Sequence, residues 1–150
     1  MSLSQVRGYI KSRVETVDTD FREWKDAFNI ENIPNNLIDL FYHIDIGTIT
    51  STPASDVTVE DSVPATLRIF KRATTNTSAV EVKDEILDKA HCLRIDIINP
   101  RNFEDYKAAN SGDIAAVETL SITPTTVDET NDNLILVEIE LNVRLIFCPL

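Results

Sequence analysis

The chain has 150 residues, 43% hydrophobic and 26% charged, which suits one globular domain spanning residues 1–150. Its 25 acids against 14 bases leave a net charge of −11, which excludes a basic grip on nucleic acid and disfavours an anionic membrane surface. No apolar run approaches the roughly 20 residues a membrane helix needs.

In chain order, MSLSQVRGYIKSR lacks a signal peptide's apolar centre, so folding in a reducing cytosol is expected. Ser2 and Gln5 have capping-box spacing, and Leu3, Val6, Ile10, Val14, Val17 and Phe21 recur at three and four. The spacing predicts a helix over 3–17, with Phe21, Trp24 and Phe28 continuing its face and a Pro34-containing loop after it. From 38 to 50 the period becomes two. Ile38, Leu40, Tyr42, Ile44 and Ile46 then oppose a wet face of Asp39, Phe41, His43 and Asp45. Residues 51–62 show no clear period and predict a projecting loop; alternation returns over 63–72, and proximity in sequence makes that strand the expected antiparallel neighbour of the first.

Ser78 and Glu81 mark a second helix with the stripe Val82, Ile86, Ala90, Leu93 and Ile97. Glu85 and Lys89 pair along it, and Asn99-Pro100 stops it. Residues 101–112 predict a loop, and 114–123 a third strand with Ile114, Ala116, Leu120 and Ile122 on one face. The stretch 124–133 is a polar connection. The stretch everything must serve comes last: over 134–147, Ile135, Val137, Ile139, Leu141, Val143, Leu145 and Phe147 form one unbroken apolar face. At about 46 Å, such a strand needs partners along most of its length. The fold expected is α+β in two layers: a mainly antiparallel four-stranded sheet with two main helices on one face, in the order α-β-β-α-β-β.

Chemistry is hard to find. The 3 glycines are scattered, so no phosphate cradle forms, and no GxSxG elbow is present. His43, Asp45 and Asp39 are spaced to share a metal, yet a solvated strand face explains them better. His91-Cys92 lacks a visible base, and Cys92 and Cys148 read as free thiols. Neighbouring carboxylates such as Asp84 and Asp88 are expected by chance among so many acids. No catalytic residue, cofactor or metal ligand is assigned, and the protein is expected not to be an enzyme. An acidic module with projecting loops suits an assembly.

The leading helix, WKDAFNIENIP (Trp24 to Pro34), LIDLFYHIDIG (Leu37 to Gly47), the helix opening SAVEVKDEILDKA, and the closing hairpin with NDN at Asn131 to Asn133 follow one another over essentially the whole chain. In order and length this resembles the tail terminator, or tail completion, proteins of long-tailed bacteriophages. The resemblance implies a mixed sheet with helices on one side and a hexameric ring in the virion, assembled in the host cytoplasm from a chain that stays monomeric until then. It also implies partners: the major tail tube protein and a head-completion or connector protein, with DNA passing through unbound. Projecting loops 51–62 and 124–133 supply candidate contacts at Asp56, Glu60, Asp61, Thr125, Asp128, Glu129 and Asp132. Glu60, Asp61, Glu138 and Glu140 are candidates for a negative channel lining that DNA slides past. A neck connector, or a cellular acidic module binding a peptide at its sheet edge, are the alternatives.

Overall fold

The first apolar stripe winds into α1 (Ser2–Val17), with Val6, Tyr9, Ile10 and Val14 fully buried. The computed structural model describes residues 2–24, 40–72, 79–126 and 134–148. Gln5 does not reach back along its own helix. Its Oε1 accepts the Asp113 N–H at 2.7 Å and its Nε2 donates to the Asp113 carboxylate at 3.2 Å, a two-bond clasp that outcompetes a local cap. Nor does the helix run on through Phe21. The Asp18 side chain accepts the Asp20 N–H at 2.9 Å and turns the chain into β1 (Arg22–Glu23), parallel to β2 (Leu40–Ile46). Phe21 instead packs edge-on to Tyr42, ring centroids 6.1 Å apart. Phe28, the Pro34 loop, Asp39 and Ser78 lie outside the described residues.

Where a loop was expected over 51–62, β3 (Thr50–Pro53) and the start of β4 (Val59–Arg72) form a hairpin. Thr50, Thr52 and Val59 stand in the paired segments, and their branched side chains favour extended backbone whatever the periodicity. β2 pairs antiparallel with β4, as their proximity in sequence predicts. β5 (Ile114–Thr126) and β6 (Leu134–Phe147) complete a mostly antiparallel six-stranded sheet in the order β1-β2-β4-β6-β5, with β3 beside β4. The long last strand finds its partners within the chain: β6 pairs with β4 from Val59↔Phe147 to Arg72↔Leu134 and with β5 on its other side. Among the described residues the architecture is mixed α+β, with six strands rather than four and three helices rather than two.

The second stripe forms α2 (Ala79–Ile98), burying Val82, Ile86, Ala90, Leu93 and Ile97. Asn99-Pro100 ends it and also opens α3 (Pro100–Asn110), where a loop was expected. Proline at the first helical position loses no intrahelical bond, and the Asn99 side chain caps by accepting the Arg101 N–H at 3.0 Å. The helix ends on Ser111 in the left-handed region, φ 52°. Phe103 is buried against Tyr9, and the Tyr106 hydroxyl closes over Gly8, where a Cβ would meet it. That contact explains a glycine inside α1, a position that otherwise costs about 0.5–1 kcal/mol relative to alanine.

β5 departs from the expected alternation because extra residues at Ala115 and Leu120 shift its register against β6. Each such bulge moves the following residues to the other face. Ile114, Val117, Thr119 and Ile122 therefore lie opposite the helix-side residues Leu145, Val143, Leu141 and Ile139, while Leu120 is 61% exposed.

One apolar cluster joins Val6, Tyr9, Ile10 and Val14, the α2 stripe and Phe103 to the same face of β2, β4, β5 and β6. Polar ties lock the helices over it. The Tyr9 hydroxyl donates to the Ile97 carbonyl at 2.5 Å, and Arg13 grips Asp96 through two bonds of 2.6 and 2.9 Å. Glu85 and Lys89 do not pair with each other: Glu85 takes Lys71 of β4, and Lys89 donates to Asp18 at 2.6 Å. The Lys89 ammonium holds the Asp18 carboxyl below the ordinary carboxylate range. A folded-state pKa below the unfolded one contributes stability above the unfolded value, lost as pH falls through the folded value. Asp18→Asn is therefore expected to cost about 1 kcal/mol at pH 7 and almost nothing near pH 2, read from urea unfolding at both.

Candidate assembly surface

Alternation along the strands sends one set of side chains to the helices and the other to the opposite face. On that second face the register sets out four-residue rows across β2, β4, β6 and β5. The first is Phe41, Phe70, Leu136 and Thr125; the second His43, Arg68, Glu138 and Thr123; the third Asp45, Thr66, Glu140 and Ser121. Further along, Pro64, Asn142 and Glu118 are followed by Thr50, Ser62, Arg144 and Ala116, then Thr52, Glu60 and Ile146.

The expected wet face of β2 is wet only at its far end. Phe41 and His43 are buried and Asp45 is exposed. Phe41 and Phe70 stack with centroids 4.7 Å apart, and burying that pair outweighs the strict alternation of polar residues. His43 Nδ1 donates to the Trp24 carbonyl at 2.8 Å, and Asp45 lies 3.6 Å from Arg68. Among the described residues, no three metal-binding side chains gather.

Arg68 stands between two acids, with Glu138 at 3.7 Å on its other side. Ser62 donates to Asn142 at 2.8 Å, and Arg144 pairs with Glu60. The Arg144 guanidinium holds the Glu60 carboxyl below its usual range, and Glu60 raises Arg144 in return. Glu118 and Glu140 are exposed acids of this face. The surface is thus a broad polar sheet with net negative charge, partly cross-linked by two arginines.

Glu60, Glu138 and Glu140 are brought together on this face. Asp61 is not: it sits on the helix side of β4, 6% exposed, and accepts from the Ser51 hydroxyl at 2.5 Å. Asp56 is exposed in the bend closing the β3–β4 hairpin, and Thr125 belongs to β5 opposite Leu136 rather than to a loop. Asp128, Glu129 and Asp132 lie outside the described residues. Sequence reasoning missed Arg68 and Arg144, although Arg144 shares the parity of Glu138 and Glu140 along β6 and was legible on that ground.

No described helix is long and apolar enough to cross a membrane. No protein-family model and no curated protein matches the chain. Its fold is similar to that of a chain in the virion of a native gene transfer agent particle, with a TM-score of 0.50 and 8% identity over 98% of both chains.

Proposed function

We propose that the chain is a virion structural protein, a tail terminator that closes as a ring on the end of a tail tube, stops its growth and offers the joining surface to the head. The likeness in fold over the full length of both chains to a virion component carries this reading. The polar sheet face supports it: a surface of Glu138, Glu140, Glu118 and Glu60, trimmed by Arg68 and Arg144, suits a channel wall. Like charge gives passing DNA no counterion release and hence no grip. The protein works by the shape it presents to copies of itself and to a filament tip.

Added to polymerising tail tube protein, the chain is expected to halt elongation at substoichiometric ratio and to appear as rings at tube ends by electron microscopy. Tubes that keep growing at saturating protein would end this reading. In a ring-forming preparation, Glu138→Lys with Glu140→Lys is expected to raise affinity for duplex DNA at least tenfold at low salt, and the gain shrinks as salt rises. Unchanged DNA affinity would remove the channel-lining role from this face.

A further inference from the structure

The sheet has two unlike ends. On one side β5 is bordered only by β6, so its outer backbone groups have no strand partner among the described residues. Between its bulges at Ala115 and Leu120 runs one regular stretch, residues 116–119. A groove follows this edge under α2, lined by Arg94, Ile98, Thr119, Leu120, Ser121 and Ile122. Within it, Arg94 Nε and Thr119 Oγ1 are buried with no hydrogen-bond partner. Ile95 and Leu120 are large apolar side chains left exposed on the two elements that flank the groove. An unpaired edge asks for a strand, and an orphaned guanidinium nitrogen asks for an oxygen acceptor, best a carboxylate.

The opposite edge supplies both. β3 is exposed along all four of its residues and, among the described residues, pairs only with β4. On its helix side Ser51 holds Asp61, a buried carboxylate with no basic partner among the described residues. Among the described residues, one edge thus carries a half-buried cation whose Nε has no acceptor, the other a buried anion without a cation, both on the helix side of one sheet. The strand directions agree as well. β3 is antiparallel to β4, β4 to β6 and β6 to β5, so β3 of a second copy in the same orientation meets β5 antiparallel. Keeping helix-side residues opposite helix-side residues fixes the parity, and bringing Ser51 to the orphaned Thr119 hydroxyl selects the register: Ser51 faces Thr119, Thr52 faces Glu118 and Pro53 faces Val117.

We propose that β3 of one copy docks on the β5 edge of the next. Ser51 and the Asp61 carboxylate then satisfy Thr119 and Arg94 of the neighbour. The contact is heterologous and closes as a ring, so the inference rests on the ring-forming reading above. In this register each copy steps four residues along its neighbour, about 13 Å, the kind of stagger a closed array of tilted strands requires.

The test uses the full chain with Cys92 and Cys148, both exposed free thiols, changed to serine. Thr52→Cys and Glu118→Cys are added together at exposed positions. Within one chain these sites stand three strand spacings apart across the sheet and four residues apart along it, about 19 Å in all, too far for a disulfide. Mild oxidation at high salt, which screens the −11 charge, is expected to give a covalent ladder ending in a closed ring. Either cysteine alone should stop at dimers. Arg94→Gln, in a chain whose circular dichroism is unchanged, should weaken association at least tenfold. A chain that gives no covalent ladder even when bound at tube ends, or rings that form without the Thr52–Glu118 disulfide, would overturn the edge contact. Rings cross-linked this way that fail to halt tube growth would keep the contact and discard the terminator.

Discussion

Leu67→Ala is expected to destabilise the protein by about 3–4 kcal/mol. Leu67 is fully buried on β4, the strand with most sheet partners, and its register neighbours are Ile44 and Ile139, both at most 1% exposed. A side chain at the crossing of three strands has no loop beside it that can move inward, so the cavity persists and adds to the lost transfer free energy. Against a total stability of about 5–15 kcal/mol, the loss is large. Urea unfolding reads it as a lower midpoint at unchanged m-value. Leu67→Met keeps the volume and should cost less than about 1.5 kcal/mol, so a similar loss from both variants would contradict the cavity account.

Phe70→Ala is expected to cost about as much, 3–4 kcal/mol, on the face where sequence alternation predicts water. Phe70 is 1% exposed and its ring lies 8° from parallel with Phe41. Leu136 follows in the same row at 6% exposure. The stack forms a second buried apolar patch, separate from the helix-side cluster. Glu140→Gln, on the same face at an exposed position, should change stability by less than about 0.5 kcal/mol. If Phe70→Ala were equally silent, the first row would belong to the solvated surface after all.

Much of the helix side was legible because burial there is one-sided. The β6 face from Ile135 to Leu145 and the α2 stripe from Val82 to Ile97 follow their periods without exception. Three features were not legible, each for a physical reason. α3 hid behind Asn99-Pro100 because the same dipeptide terminates one helix and caps the next. The bulges at Ala115 and Leu120 leave no trace in composition, so the alternation misplaces Ala116 and Leu120 while Ile114 and Ile122 share a face as expected. β3 is short and wholly exposed, so it carries no apolar alternation to read. Of the surface residues, Glu138 and Glu140 share a face by strand parity, whereas Glu60 reaches the same face from a stretch expected to be a loop. Asp61 was grouped with them although it points the other way, because a loop was expected where β4 had already begun.

β6 is the last strand in chain order, yet it lies between β4 and β5. A nascent polypeptide that has emerged only as far as residue 126 therefore has β4 and β5 with nothing to join them. Sheet closure must wait for the final segment, and its pairings with β4 span up to 88 positions, from Val59 to Phe147. Such long-range closure slows folding, and it leaves adhesive backbone on the unfinished chain while the ribosome works.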